Sequence, residues 1–275
     1  MRQAVEWPRL KSREFAILGL RPCRGILLHG PPGCAKTMLA RATAGSAGVA
    51  FLSLSPAQVY ASSYVGEAER VVRQAFNQAR STAPCILFFD EIDSIFGDNS
   101  GRDSMGSRGS AEARVLSTFL NEMDGVDIAG AGKDGVLVLG ATNRPWTLDS
   151  ALLRPGRLGD KIIFLPPPDN EARLSILKRQ FGKIPVGTDD LAWNWSTLVE
   201  LSAGMTGAEI VGACQEAKLH WMRDNLPSDL ACTTEVQFKQ DYVVNALMFV
   251  KPLLSDPLAL EEFQIFEKLD KKSFH

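Results

Sequence analysis

GILLHGPPGCAKT, residues 25–37, sets an apolar, β-rich run directly before a Gly/Pro-rich turn that ends in Lys-Thr. The helix-period segment MLARATAGSAG (38–48) follows it. Strand, glycine-rich loop and helix in that order form the context in which the pattern GxxxxGK[ST] cradles phosphates. Backbone amides of such a loop point inward, Lys36 can reach the β and γ oxygens, and the Thr37 hydroxyl can ligate Mg²⁺. The nucleotide-contacting set is therefore Gly30, Pro31, Pro32, Gly33, Cys34, Ala35, Lys36, Thr37 and Met38. The spacing is complete except at the third glycine, where Ala35 adds a methyl group. A chance Gly/Pro-rich turn is the alternative reading; the flanking strand and helix count against it.

Four more apolar runs alternate with helix-period segments: AFLSLS (50–55), CILFFD (85–90), VLVLGAT (136–142) and KIIFL (161–165). Strands buried on both faces read as continuous apolar runs, so the pattern predicts an α/β fold, a five-stranded parallel sheet with helices on both faces. PPPD at 166–169 breaks the alternation. Everything after it reads as helical: EARLSILKRQFG, a segment around 191–201, GAEIVGACQEAKLHWMRDNL, and TTEVQFKQDYVVNALMF, whose Thr234 lies three residues before Gln237 as in a capping box. Two domains are expected, an α/β core over 1–168 and a small all-helical domain over 169–275. The stretch GDNSGRDSMGSRGS (97–110) has no apolar period and predicts a mobile loop.

The bulk composition excludes more than it selects. The 30 Lys plus Arg against 32 Asp plus Glu leave a charge of −2, which offers no electrostatic footprint for non-specific nucleic-acid binding. Cys23, Cys34, Cys85, Cys214 and Cys232 form no CxxC pair and lie near no His cluster, so neither zinc nor a disulfide framework is indicated. MRQAVEWPRL lacks the apolar centre of a signal peptide, and no apolar run approaches the roughly twenty residues of a membrane span. A soluble intracellular protein is expected, with no membrane partner.

CILFFDEID (85–93) is an apolar strand that ends in paired carboxylates, where burial forbids charge unless metal or chemistry requires it. Asp90 suits holding Mg²⁺ through water and Glu91 suits polarising the attacking water. An acidic pair after a strand is also a common helix N-cap; its place downstream of the phosphate loop favours chemistry. VLVLGATN ends in Asn143, at the strand end where open α/β sheets bind ligands, so Asn143 can orient that water; a plain turn, NRP, is the alternative. ALLRPGRLGDK carries Arg154 and Arg157 in a Pro/Gly loop, suited to delivering a guanidinium to developing phosphoryl charge. A solvated surface pair is the default for isolated arginines.

GPPGCAKT, FFDEID, GATNRP and LLRPGRL, in this order and spacing, resemble the AAA family, especially the second ATPase ring of valosin-containing-protein-like enzymes. GPPGCAKT, DKIIFLPPPD and VKPLLSDPLALEEF are similar to the spermatogenesis-associated protein five-like branch. The resemblance implies an AAA P-loop ATPase core followed by a helical lid, with ATP and Mg²⁺ as cofactors. It further implies hexameric rings, as a homo-oligomer or mixed with related ATPase subunits, acting with adaptor proteins on protein substrates. SSYVGEAER then supplies a substrate-gripping pore loop through Tyr64 and Val65, and 97–110, with Arg102 and Arg108, a second one. Asp124 and Gly125 match a position that senses the neighbour's nucleotide, with Arg154 and Arg157 also inter-subunit. NEMDG read alone is equally a helix end with its C-cap glycine.

GMTGAEI resembles the GFSGADL that brings small residues, here Gly207 and Ala208, against base and sugar. Small residues at these positions equally pack helices together. Ribosome-precursor maturation and a cytoplasmic or nuclear location follow for this branch. Family members also carry an upstream Asp-Ile-Gly-Gly-type stretch that walls the adenine pocket, an amino-terminal domain and a first ATPase domain. A chain that starts at Met1, just before EWPRLKSREFAILGL, is then expected to be a fragment, a short isoform or a truncated gene model with an adenine site open on one side. The family's RPGRLDK reads here as RPGRLGDK, so Gly159 shifts the register after Arg157. Two other functions compete with a remodelling ATPase. One is a nucleotide-binding scaffold that assembles with relatives and hydrolyses poorly alone; the other is a nucleic-acid motor, disfavoured by the neutral charge and the aromatic pore loop.

Overall fold

The computed structural model describes residues 1–61, 64, 66–97, 107–125, 135–182, 193–225, 238–253, 263, 265 and 266, apart from the side chains of 2, 3, 9 and 107–111. The elements run α1 (Arg2–Val5), α2 (Trp7–Leu10), α3 (Ser12–Ile17), β1 (Gly25–His29), α4 (Lys36–Ala47), β2 (Ala50–Leu54), α5 (Pro56–Val59), α6 (Glu67–Ser81), β3 (Cys85–Phe89), α7 (Ile92–Phe96), α8 (Ser107–Asp124), β4 (Val136–Thr142), β5 (Lys161–Phe164), α9 (Asn170–Phe181), α10 (Trp195–Leu201), α11 (Gly207–Asn225) and α12 (Gln240–Phe249). Two compact units result: Met1–Gly30 with Lys36–Leu165, and Pro31–Ala35 with Pro166–His275.

The first unit is built on a five-stranded sheet of order β2-β3-β4-β1-β5, parallel at every pairing. This is the α/β architecture expected from the apolar runs. Every residue of β1, β3 and β4 is buried, while the edge strands β2 and β5 are mostly half-buried. The two-residue period of a strand distributes the inner ones between two layers. Leu27, Leu87, Phe89 and Val138 join Val72, Phe76 and Phe119 on one face. Ile26, Leu28, Ile86, Phe88 and Leu139 join Ala40 and Ala44 on the other. Phe119 stands perpendicular to Phe89 at 5.0 Å between ring centres, an edge-to-face arrangement that aromatic quadrupoles favour, and lies tilted against Phe96 at 4.7 Å.

In the second unit α9–α12 enclose Leu177, Phe181, Trp193, Leu198, Ile210, Cys214, Phe238, Val243 and Leu247. Its helix starts are fixed locally. Asp169 accepts from the Ala172 amide at 2.8 Å, and Asn194 from the Thr197 amide at 3.2 Å. Thr206 and Glu209 cap α11 reciprocally, with the Thr206 amide donating to Glu209 Oε2 at 2.7 Å and the Glu209 amide to Thr206 Oγ1 at 3.4 Å.

Two expectations change. Ser107–Ser110 open α8 instead of closing the Gly/Ser-rich loop, since extending an existing helix is cheap once its apolar stripe (Val115, Phe119, Met123) is packed. The helices α1–α3 were not evident in the sequence: three turns broken at Glu6 and Lys11, of which α3 buries none of its side chains. Residues 98–106 and the Thr234–Gln237 pair lie outside the described residues.

Candidate functional site

Register decides where the site forms. β1 and β4 pair His29 with Thr142, so Gly30 and Asn143 leave neighbouring strands at the same level. β3 pairs Phe89 with Gly140 of β4, which brings Asp90 to the same end of the sheet. Carboxyl ends of parallel strands are where open α/β sheets take ligands.

Lys36 is the first residue of α4 and only 8% exposed; its ammonium donates to the Gly30 carbonyl at 2.8 Å. Thr37 donates from Oγ1 to Asp90 Oδ2 at 2.8 Å, joining the first turn of α4 to the end of β3. The Asp90 amide donates to Leu54 O at 3.1 Å, and the other carboxylate oxygen of Asp90 accepts from the Glu91 amide at 3.1 Å. Glu91 is exposed and adopts a left-handed conformation (φ +46°, ψ +48°) at the start of α7. Asn143 is half-buried, one residue beyond β4.

Two residues that sequence reading passed over tie these pieces together. Thr142, 1% exposed, donates from Oγ1 to Asp93 Oδ1 at 2.9 Å and accepts from the Arg144 amide at 2.9 Å. The strand carrying Asn143 is thus anchored to the helix following Glu91. The second acid of DEID and the Thr of GATN were the available signals.

The loop preceding Lys36 holds Ala35 at φ +61°, a left-handed conformation that L residues other than glycine rarely adopt. Among the described residues only Ala35 and Glu91 are non-glycine residues with positive φ. Cys34 is buried; Pro32, Ala35 and Met38 are exposed. Within the second unit, Gly33 (φ +76°) accepts from the Ala208 amide at 3.2 Å. A Cβ on Gly33 would come within 2.8 Å of Thr206 Oγ1 and 3.0 Å of the Ala208 methyl, so the position demands glycine twice over. Gly207 and Ala208 therefore lie against the loop at Gly33.

The arginine loop is arranged differently. Arg157 donates from Nε and Nη2 to Asp124 Oδ1 and Oδ2 at 3.0 and 2.8 Å, and from Nη1 to the Ala151 carbonyl at 2.9 Å. These bonds hold the Asp124 carboxyl below the usual carboxylate range and push the Arg157 guanidinium up. Arg154 is exposed. Gly159 is buried, with its backbone pressed onto the Leu153 carbonyl so that a Cβ would collide with it. Asp160 secures the far side, accepting from the Arg24 amide at 2.8 Å and the Gly156 amide at 2.6 Å. The extra glycine is thus absorbed into a tied loop. Tyr64 is 84% exposed; Val65, Arg102 and the side chain of Arg108 lie outside the described residues.

A parallel sheet whose inner strand β1 ends in a lysine-bearing glycine loop, with a Thr–Asp oxygen pair alongside, defines a P-loop nucleotide triphosphatase. The family is shown by comparison. The chain belongs to the ATPase family associated with various cellular activities (AAA), whose model matches residues 26–166, and the AAA+ lid domain matches residues 194–238. It is an AAA-type ATPase domain. It is 42% identical over 288 residues to the ATPase family gene 2 protein homolog B of Mus musculus, covering 99% of this chain and 36% of that protein. With the Cell division control protein 48 homolog B of Arabidopsis thaliana it shares 41% identity over 274 residues, 99% of this chain and 42% of the relative. With the ATPase family gene 2 protein of Saccharomyces cerevisiae it shares 43% over 226 residues, 82% and 27% respectively. The chain spans 36% of the length of the first of these relatives.

Proposed function

We propose that this chain binds Mg-ATP at Gly30–Met38, hydrolyses it with Glu91, and couples hydrolysis in an oligomeric ring to remodelling proteins. The observation that carries the reading is the 2.8 Å bond between Thr37 Oγ1 and Asp90 Oδ2 beside the buried Lys36 ammonium. A hydroxyl and a carboxylate oxygen are the donors a hard cation takes. Thr37 and Asp90 would hold Mg²⁺, which when bound neutralises phosphate charge.

The chain's own residues do the rest. Loop amides and Lys36 fix the phosphates, Glu91 takes the proton of the attacking water, and Asn143 orients that water. Gly207 and Ala208 admit base and sugar to close approach. Arg154 and Arg157 serve the site of an adjoining subunit, with Asp124 reporting on its contents, and Tyr64 with Val65 grips the protein substrate. The ring is hexameric, formed by this chain or with related ATPase subunits, and adaptor proteins bring the substrates. Ribosome-precursor maturation in cytoplasm or nucleus is the setting the family resemblance favours. No helix among the described residues is long and apolar enough to cross a membrane. The scaffold reading draws on one observation, the engagement of Arg157 by Asp124 within its own chain, which predicts slow turnover by unassembled protein.

Steady-state turnover of Glu91→Gln against the parent tests the assignment. Loss of about a hundredfold or more with Mg-ATP binding retained is expected. Equal rates would remove Glu91 from the chemistry.

A further inference from the structure

Ala35 stands where the phosphate-loop pattern has glycine, and the loop keeps the glycine conformation anyway. The reason is not space. Position 35 is exposed, whereas a Cβ at Gly33 would crowd Thr206 and Ala208. What position 35 requires is backbone: φ of +61° between Cys34 and the first residue of α4. For an alanine this region is disfavoured because Cβ approaches the following carbonyl oxygen, and glycine escapes the penalty.

Local bonds oppose the strain from either side. Gly33 O is held by the Ala208 amide, and Lys36 Nζ by Gly30 O. On the Mg-ATP reading given above, on which this inference rests, the phosphates recruit the Lys36 ammonium. The bond from Lys36 to the Gly30 carbonyl is then exchanged for the ligand. The ligand must hold the left-handed backbone itself, and its apparent affinity falls by the fraction of loops that adopt the binding conformation.

We propose that Ala35 is a positioning residue that weakens nucleotide retention, giving this chain a faster-releasing phosphate loop than a glycine would. It acts through the direction of the loop amides and touches no reacting atom.

The test measures equilibrium binding and dissociation of N-methylanthraniloyl-ADP with Mg²⁺ on the full chain for the parent, Ala35→Gly and Ala35→Asn. Melting temperatures with and without ADP accompany each measurement. Asparagine is larger than alanine but tolerates the left-handed region. Ala35→Gly is expected to bind about fivefold more tightly, chiefly through slower release, and to gain more than the parent from ADP in melting temperature. Ala35→Asn should fall between the two. A gain under about twofold for Ala35→Gly overturns the proposal. So does Ala35→Asn binding more weakly than the parent while Ala35→Gly binds more tightly, since bulk rather than backbone would then be the cause. Failure of the parent to bind Mg-nucleotide at all overturns the ATP-site reading itself, which separates the two failures.

Discussion

The phosphate end of the sheet and the arginine loop handle charge in opposite ways. At the first, Lys36, Thr37 and Asp90 arrive together because the parallel strands β1 and β3 both end at the same edge of the sheet, and their polar groups bond to each other or to the loop backbone. At the second, a guanidinium with 17% side-chain exposure is clamped by both oxygens of an aspartate 33 positions away and by a backbone carbonyl. Groups that must cooperate within one chain are aligned by strand register. On the proposed reading, a group destined for another subunit is stored against a local partner until that subunit arrives.

The contrast is broken most directly at Lys36. Lys36→Ala is expected to abolish nucleotide binding and lower turnover on the order of a thousandfold, about 4 kcal/mol, by titration and steady-state assay. Arg157→Ala should instead leave binding within about twofold and lower turnover of assembled protein about a hundredfold. If its binding loss matched that of Lys36→Ala, the division of labour would be wrong. Mixing Arg157→Ala with Glu91→Gln chains sharpens the point. Turnover rises above that of either variant alone when the arginine of one chain serves the glutamate of another, and stays flat when it does not.

Smaller effects probe how the arginine loop is held. Gly159→Ala forces a methyl against the Leu153 carbonyl and should cost about 1–3 kcal/mol by denaturant titration. Asp124→Asn should cost within about 1 kcal/mol, because the aspartate side chain is 54% exposed. Its sign with pH is fixed by the lowered Asp124 pKa. The contribution is complete above the unfolded carboxyl value of about 3.9 and is lost as pH falls through the folded value. The stability difference between parent and Asp124→Asn should therefore be flat from about pH 5 to 8 and vanish in stronger acid.

Most of the fold was legible because buried parallel strands leave unbroken apolar runs, and all five strands begin where such runs begin. The phosphate loop was legible because its geometry demands particular residues at fixed spacing. The pairing of Arg157 with Asp124 was not, since neither residue announces a partner 33 positions distant. The Thr142–Asp93 bond was hidden for the same reason, although it decides how Asn143 is held. GMTGAEI carried two messages, and sequence reading took only one. Besides offering small residues at Gly207 and Ala208, it contains the Thr206–Glu209 cap that starts α11. Helices α1–α3 went unseen because short turns exposing Leu10, Ile17, Leu18 and Leu20 lack the one-sided stripe that marks a helix against a core.

The strand that leads into the phosphate loop has a mechanical side. β1 is zipped to β4 from Gly25 to His29 and to β5 from Ile26 to His29, and the phosphate loop is spliced to its end. Tension on that loop along the strand axis would have to shear two ladders at once, with their hydrogen bonds sharing the load. An edge strand such as β2, laddered only to β3, would share it over one. The phosphate loop is thus joined to a strand held on both sides.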